Sequence, residues 1–238
     1  MLLIADVNSF WEILNAAVDY AVAGFRLWYT KGNVEVELCG RTLHIPGATP
    51  GLGATPRDWW LAVCCAKILR RPEAVASLLE YDHKNFKRIP GQRDDYQLAL
   101  AAAALAFWTE GKDFEKRATK TEALSSPEKA TISGPRLAKA DTSIVAVMRS
   151  IRSGEQAAYT ESAVASLKAF KAFWGAGKNK SAPDSYHDWF NIALAIEAEL
   201  QGLKFEVESD YTPRWIIDGP PVGLLDHFKT LYHSPPKA

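Results

Sequence analysis

The side chains able to do chemistry are few in this chain and scattered along it. Its five histidines are His44, His83, His187, His227 and His233, and its cysteines are Cys39, Cys64 and Cys65. A metal site needs several such ligands at set spacings, and neither HxH nor HExxH occurs. Tyr81-Asp82-His83 and Tyr186-His187-Asp188 each set a carboxylate beside an imidazole, a pairing that can orient a general base. Adjacent residues on a helix diverge by about 100°, so both histidines are expected at the surface or at helix caps. The same divergence separates Cys64 from Cys65, which read as buried free thiols of a reducing cytosol. Gly175-Ala-Gly177-Lys178 has glycines and a lysine but lacks the preceding strand and the following Ser/Thr of a phosphate loop. GxSxG and GxGxxG are absent. Glu35 and Glu37 share a strand face that solvent can cover. Asp94 and Asp95 open a helix, where carboxylates complement the dipole by about 0.3–1 kcal/mol. No catalytic residue, metal ligand or cofactor is assigned, and the chain is expected not to be an enzyme.

The elements that carry these residues are helical. Phe10, Ile13, Leu14, Ala17, Ala21, Phe25 and Trp28 recur at helical spacing and predict a first helix from about Ser9, its N-cap, to Tyr29. Val34 to Leu38 and Thr42 to Ile45 alternate apolar with polar and predict a small β-hairpin. After a Gly/Pro loop from Pro46 to Gly53, Thr55-Pro56 supplies an N-cap and an N1 proline for a helix through Trp59, Trp60 and Leu69. Pro72 opens a short helix to about Tyr81, and a Pro90-Gly91 loop leads to a helix from about Asp94 to Thr109. Its Leu98–Trp108 stretch is apolar on every face, which places it at the centre of the fold. One helix follows Pro135 and another follows Gly154. Asp184 or Ser185 is expected to cap the next, which Gly202 ends. An extended Phe205–Val207 and a last short helix, about Val222 to Tyr232, complete the reading. Trp59, Trp60, Phe170, Phe173 and Trp174 read as core, whereas Tyr186 and Trp189 flank a lysine-bearing loop where an aromatic can anchor a partner.

Eight or nine helices with short links imply a mainly α protein, a multi-helix bundle or compact α-hairpin array, in a single domain spanning residues 1–238. No fixed repeat recurs. Lys plus Arg and Asp plus Glu both total 28, so the basic excess of a nucleic-acid binder is missing. The longest apolar run, Leu98 to Trp108, falls short of the ~18 residues of a membrane span. The start of the chain lacks a basic flank and a signal-peptide core. A cytoplasmic protein that contacts neither nucleic acid nor membrane is expected.

The C-terminal third carries a distinctive run. Asp188-Trp-Phe-Asn-Ile-Ala-Leu-Ala-Ile-Glu-Ala-Glu-Leu-Gln-Gly202 is followed by Leu203-Lys-Phe-Glu-Val-Glu-Ser-Asp-Tyr-Thr-Pro213-Arg-Trp-Ile-Ile217. It resembles the closing signature of the immunity protein 49 family of bacterial polymorphic-toxin systems: an Ala/Leu helix ending in Gly, a short strand, then a Ser-Asp-Tyr-x-Pro turn. Trp60 to Lys67, Arg71 to Ala74, Asp95 to Leu100 and Phe107 to Gly111 are also similar, so the resemblance spans about residues 55–217. Thr212 replaces an aliphatic residue, Lys112 to Lys139 aligns with nothing, and the hairpin lies outside. The resemblance implies an immunity protein that binds the toxin domain of a secreted effector, one to one, and covers its active site or its substrate's approach. Asp94, Asp95, Tyr186, Asp210 and Tyr211 are the candidate toxin contacts. The Ser209–Pro213 turn has a purely architectural reading too, with Asp210 accepting backbone hydrogen bonds while Tyr211 and Pro213 pack. A helical scaffold for cellular proteins is the alternative. An enzyme would need an enclosed polar pocket holding His83 or His187.

Overall fold

The computed structural model describes residues 7–38, 41–47, 55–86 and 94–227. The loops expected around residues 48–54 and 87–93, and the last helix beyond residue 227, lie outside them. Eleven helices and one two-stranded antiparallel sheet are present among the described residues. The mainly α class with a small N-terminal hairpin therefore holds, with more and shorter helices than the sequence implied.

Helix α1 runs Val7–Tyr29, so Ser9 is inside it rather than at its cap. Its buried residues are Phe10, Trp11, Leu14, Asn15, Val18, Ala23 and Phe25, while Ile13 is 69% exposed. The buried stripe is rotated from the one read in the sequence because α1 is covered from two directions. Trp11, Leu14 and Val18 join the main core, whereas Ala23 packs against Val34 and Val36 of the hairpin. Strands β1 (Asn33–Leu38) and β2 (Arg41–Pro46) pair with Val34 opposite Ile45 and Val36 opposite Leu43. Glu35 and Glu37 face solvent.

Helix α2 (Pro56–Ile68) begins as the sequence requires. The Thr55 hydroxyl accepts from the Asp58 N–H at 3.2 Å, and the Asp58 carboxylate accepts from the Thr55 N–H at 2.8 Å. This reciprocal capping box satisfies two amides that a helix start leaves open. Helices α3 (Pro72–Leu79), the single turn α4 (His83–Phe86), α5 (Asp95–Trp108) and α6 (Phe114–Leu124) follow. The helix expected after Pro135 is two, α7 (Pro135–Thr142) and α8 (Ile144–Ser153). The break falls at Ser143, whose hydroxyl donates to the Ala140 carbonyl at 2.7 Å, a local bond that competes with helix continuation. Helix α9 (Gln156–Trp174), two short 3-10 turns at Gly177–Ser181 and Pro183–Ser185, α10 (Trp189–Leu200) and α11 (Arg214–Asp218) complete the chain. Among the described residues Leu203–Ser209 forms no strand, so the short strand that the resemblance implied after Gly202 is not formed there.

Helices α10 and α5 both contribute heavily to the main core. In α10, Phe190 to Ile196 and Ala198 are all buried, as helices α2, α8, α9 and α11 surround this segment. Helix α5 lies against α2 and α6, and its Leu98, Leu105 and Trp108 are only partly buried. No residue of Leu98–Trp108 is exposed, as a stretch apolar on every face requires.

Candidate functional site

The start of α10 gathers several buried polar side chains, Asp188, Asn191 and Ser166 among them. Asp188, not Asp184 or Ser185, caps it: its carboxylate accepts from the Asn191 N–H at 3.1 Å and from Asn191 Nδ2 at 2.7 Å. Asp184 and Ser185 are instead consumed in the preceding 3-10 turn. Asn191 Nδ2 also donates to Ser166 Oγ at 2.8 Å, and Ser166 bonds Ser143 at 2.9 Å. The network thus ties α10 to α9 and to the α7–α8 break.

Arg57 of α2 crosses the same region. Its guanidinium pairs with Asp141 and, at 3.7 Å, with Asp184, and lies 5.1 Å from the Phe190 ring and 5.4 Å from the Trp174 ring. Tyr96 donates its hydroxyl to Asp141 at 2.9 Å. Burial raises the Asp141 carboxyl despite Arg57, and it raises the Tyr96 phenol too. Burial pushes Asp188 to about 6, against the hydrogen bonds from Asn191. The two cavities adjoining Arg57 hold about 10 Å³ each, room for one water and no substrate.

The raised Asp188 value sets a pH dependence. A carboxyl whose folded pKa lies above its unfolded value favours the protonated fold, so its stabilisation is complete below the unfolded pKa and lost as pH rises through about 6. Asp188→Asn can still cap α10 once the Asn191 amide flips, since Asn191 Oδ1 is buried without a partner. Wild type should therefore gain on the order of 2 kcal/mol over Asp188→Asn between pH 7 and pH 4. Denaturant titrations of both proteins across that range measure it; parallel pH curves would contradict the assignment.

The Ser209–Pro213 turn docks on this cap, with the Asp188 N–H donating to the Tyr211 carbonyl at 2.8 Å. Within the turn Ser209, not Asp210, takes the backbone bonds: its hydroxyl accepts from the Tyr211 N–H at 3.2 Å and its carbonyl from the Thr212 N–H at 3.1 Å. Ser209 makes the short side-chain turn in which a hydroxyl accepts from the amide two residues on. Asp210 is left exposed, and the Tyr211 ring packs 5.2 Å from Phe170.

Beside the turn lies an aromatic face. Trp215 sits 4.8 Å from Phe10 and 5.8 Å from Trp11, and Trp189 lies 6.2 Å from Phe10 and 5.4 Å from His187. Trp215 is 38% exposed and Tyr186 44% exposed. His187 is half-buried immediately before the α10 cap: its Nδ1 is buried without a partner, and burial lowers its pKa. The ring is neutral near pH 7, and Asp188 beside it bonds Asn191 instead. The side chain of His83 lies outside the described residues.

The bond from Asp188 to Tyr211 sets the backbone of the turn, with Asp210 and Tyr211, against the residue two positions after Tyr186. Asp94 and Asp95 stand at the start of α5, where Tyr96 links to Asp141. Asp94 is 4% exposed, accepting from the Ile132 N–H at 3.1 Å and the Ser133 N–H at 2.8 Å. These bonds lower its pKa although burial works against them. Its carboxylate is occupied in holding a loop. Asp95 is exposed and lines a cleft of about 490 Å³ with Lys116 and Lys120. Arg57, Asp141, Asn191 and Trp215 were missed in the sequence; Asp141 lies 84 residues from Arg57, a separation that carries no local signal.

Burial raises the Cys64 thiol well above its usual range and pushes Cys65 up to about 12, which favours the protonated thiol in both. Among the described residues no group of three or more His, Cys, Asp and Glu is placed to hold a metal ion. No described helix is long and apolar enough to cross a membrane.

The comparisons with known proteins bear on the whole of this arrangement. A family profile for immunity protein 49 matches residues 4–216. The match takes in the hairpin and the segment 112–139, both of which the sequence resemblance had left outside. No curated protein and no solved structure matches significantly. With most of its length matched, the chain belongs to the immunity protein 49 family.

Proposed function

We propose that this chain protects a cell by binding one cognate toxin domain and covering its active site or the approach of its substrate, without catalysis of its own. Membership of the immunity protein 49 family carries the reading. The aromatic face supports a location for it. Soluble proteins bury most large aromatics, and partly exposed Trp and Tyr set among packed neighbours are the residue types that anchor protein interfaces. Trp215 fits that description, Tyr186 is an exposed aromatic just before the α10 cap, Tyr211 is half-buried, and Asp210 is an exposed charge of the same turn. Asp95 is a second exposed charge at the start of α5. Asp94 is omitted, because its carboxylate is buried and already bonded. The partner is a protein, acted on in the cytoplasm; neither nucleic acid nor membrane is invoked.

The test is co-expression with the toxic C-terminal module of a neighbouring reading frame. Growth restored by this chain, with the two proteins co-eluting as a complex, supports the reading. Growth restored without a complex contradicts it.

A further inference from the structure

A cleft lies between α3 and the last turn of α10. It holds about 550 Å³, and Val75, Leu79, Ile196 and Leu200 supply its apolar wall. Leu200 is 76% exposed, although Ile192, Leu194 and Ile196 of the same helix are buried. The charges around the cleft are almost all matched internally. Lys67 holds Glu197 at 3.0 Å, Arg71 holds Asp19 and Glu73, and Arg214 holds Glu199.

Arg70 is the exception. Its guanidinium donates to the carbonyls of Ile68 and Ile217, and among the described residues it has no carboxylate within ion-pair distance. Glu199 and Asp218 act on it through space, yet both are bound by Arg214. The backbone holds this cation in place. Arg70 takes a left-handed φ of 55° just past the end of α2, which L residues adopt at some cost. Gly219, at φ 91°, packs against it so closely that a Cβ there would fall 3.1 Å from Arg70 Cζ. The cleft thus joins an aliphatic wall to one exposed, pre-positioned and unmatched positive charge.

We propose that this cleft takes a segment of the toxin carrying an apolar side chain, received by Val75, Leu79, Ile196 and Leu200, and one carboxylate, received by Arg70. The inference rests on the toxin-binding reading above and adds a second point of contact to it. A guanidinium with N–H donors to spare suits a carboxylate, because the planar fork matches both oxygens.

Leu200 is exposed, so substitution there tests the cleft without disturbing the core. The toxin domain is titrated calorimetrically with wild type, Leu200→Glu and Leu200→Lys, and melting curves check that all three fold alike. Leu200→Glu should weaken binding about tenfold or more, through lost apolar contact and repulsion of the incoming carboxylate. Leu200→Lys should lose less, and the gap between the two should close at high salt. Wild-type affinity in both variants overturns the cleft while leaving toxin binding intact, as does a greater loss with lysine than with glutamate. Absence of binding by the wild type overturns the toxin reading and the cleft with it. Sedimentation of the chain alone completes the test: a dimer that Leu200→Glu dissociates would make the occupant a second copy and overturn the proposal.

Discussion

Replacing Arg57 by methionine is expected to cost about 3–5 kcal/mol of folding stability at neutral pH, the usual penalty for leaving a buried charge without its partner. Asp141 would keep only the hydrogen bond from Tyr96, in a site where burial already raises its pKa. The loss should therefore shrink in acid, where Asp141 can take up a proton, and grow as pH rises. The double variant Arg57→Met/Asp141→Leu should recover most of the stability, since apolar replacements of a buried pair are often neutral. Denaturation midpoints of the wild type, both single variants and the double variant yield the coupling energy directly. A cost below about 1 kcal/mol would show a pair no stronger than a surface ion pair. Function enters because Arg57 also holds Asp184, in the 3-10 turn that immediately precedes Tyr186. A destabilised Arg57 variant should bind toxin more weakly even though Arg57 itself is largely covered.

Truncating the aromatic face should have the largest effect on binding. Tyr186→Ala and Trp215→Ala are each expected to lose about 2 kcal/mol or more of toxin affinity, roughly thirtyfold. The two together should cost several hundredfold or more, with departures from additivity if they share a pocket on the toxin. Tyr186 is a clean probe because it is exposed, whereas Trp215 also packs on Phe10 and Trp11. Melting curves must accompany the Trp215 variant to separate lost contact from lost packing. Asp210→Asn should act differently, slowing association and flattening its salt dependence before it changes the dissociation rate. Dissociation constants within threefold of wild type for both aromatic variants would place the toxin on another face.

Where the physics was local, the sequence displayed it. Thr55-Pro56 with Asp58 three residues on is a complete helix start, and it forms as written. The alternation Val34-Glu35-Val36-Glu37 sets the hairpin's inner and outer faces. Tyr186, Asp210 and Tyr211 stand apart from the helical background by residue type and position, and they enter as proposed contacts. What failed was the competition between neighbours and partners distant in sequence. Asp184, Ser185 and Asp188 all cap helices well by residue type; the 3-10 turn at Pro183–Ser185 takes the first two and leaves Asp188. The rotation of α1 depends on where the hairpin and α2 land. Arg57 gives no hint of Asp141, because nothing in the intervening chain encodes their meeting. The half-burial of His187 is hidden for the same reason, since one ring packed against it, Phe10, lies near the other end of the chain.

Neutralisation by occupancy is the central claim, and the most direct measurement is toxin activity at fixed toxin concentration as purified immunity protein is added. Tight complexes of this kind reach nanomolar dissociation constants, about −12 kcal/mol. Activity should then fall linearly and stop at a sharp endpoint near one molecule of this chain per toxin domain. It should return once toxin is added in excess. Protection at well below one equivalent, continuing as fresh toxin is supplied, would mean that the chain turns over, and would contradict the account.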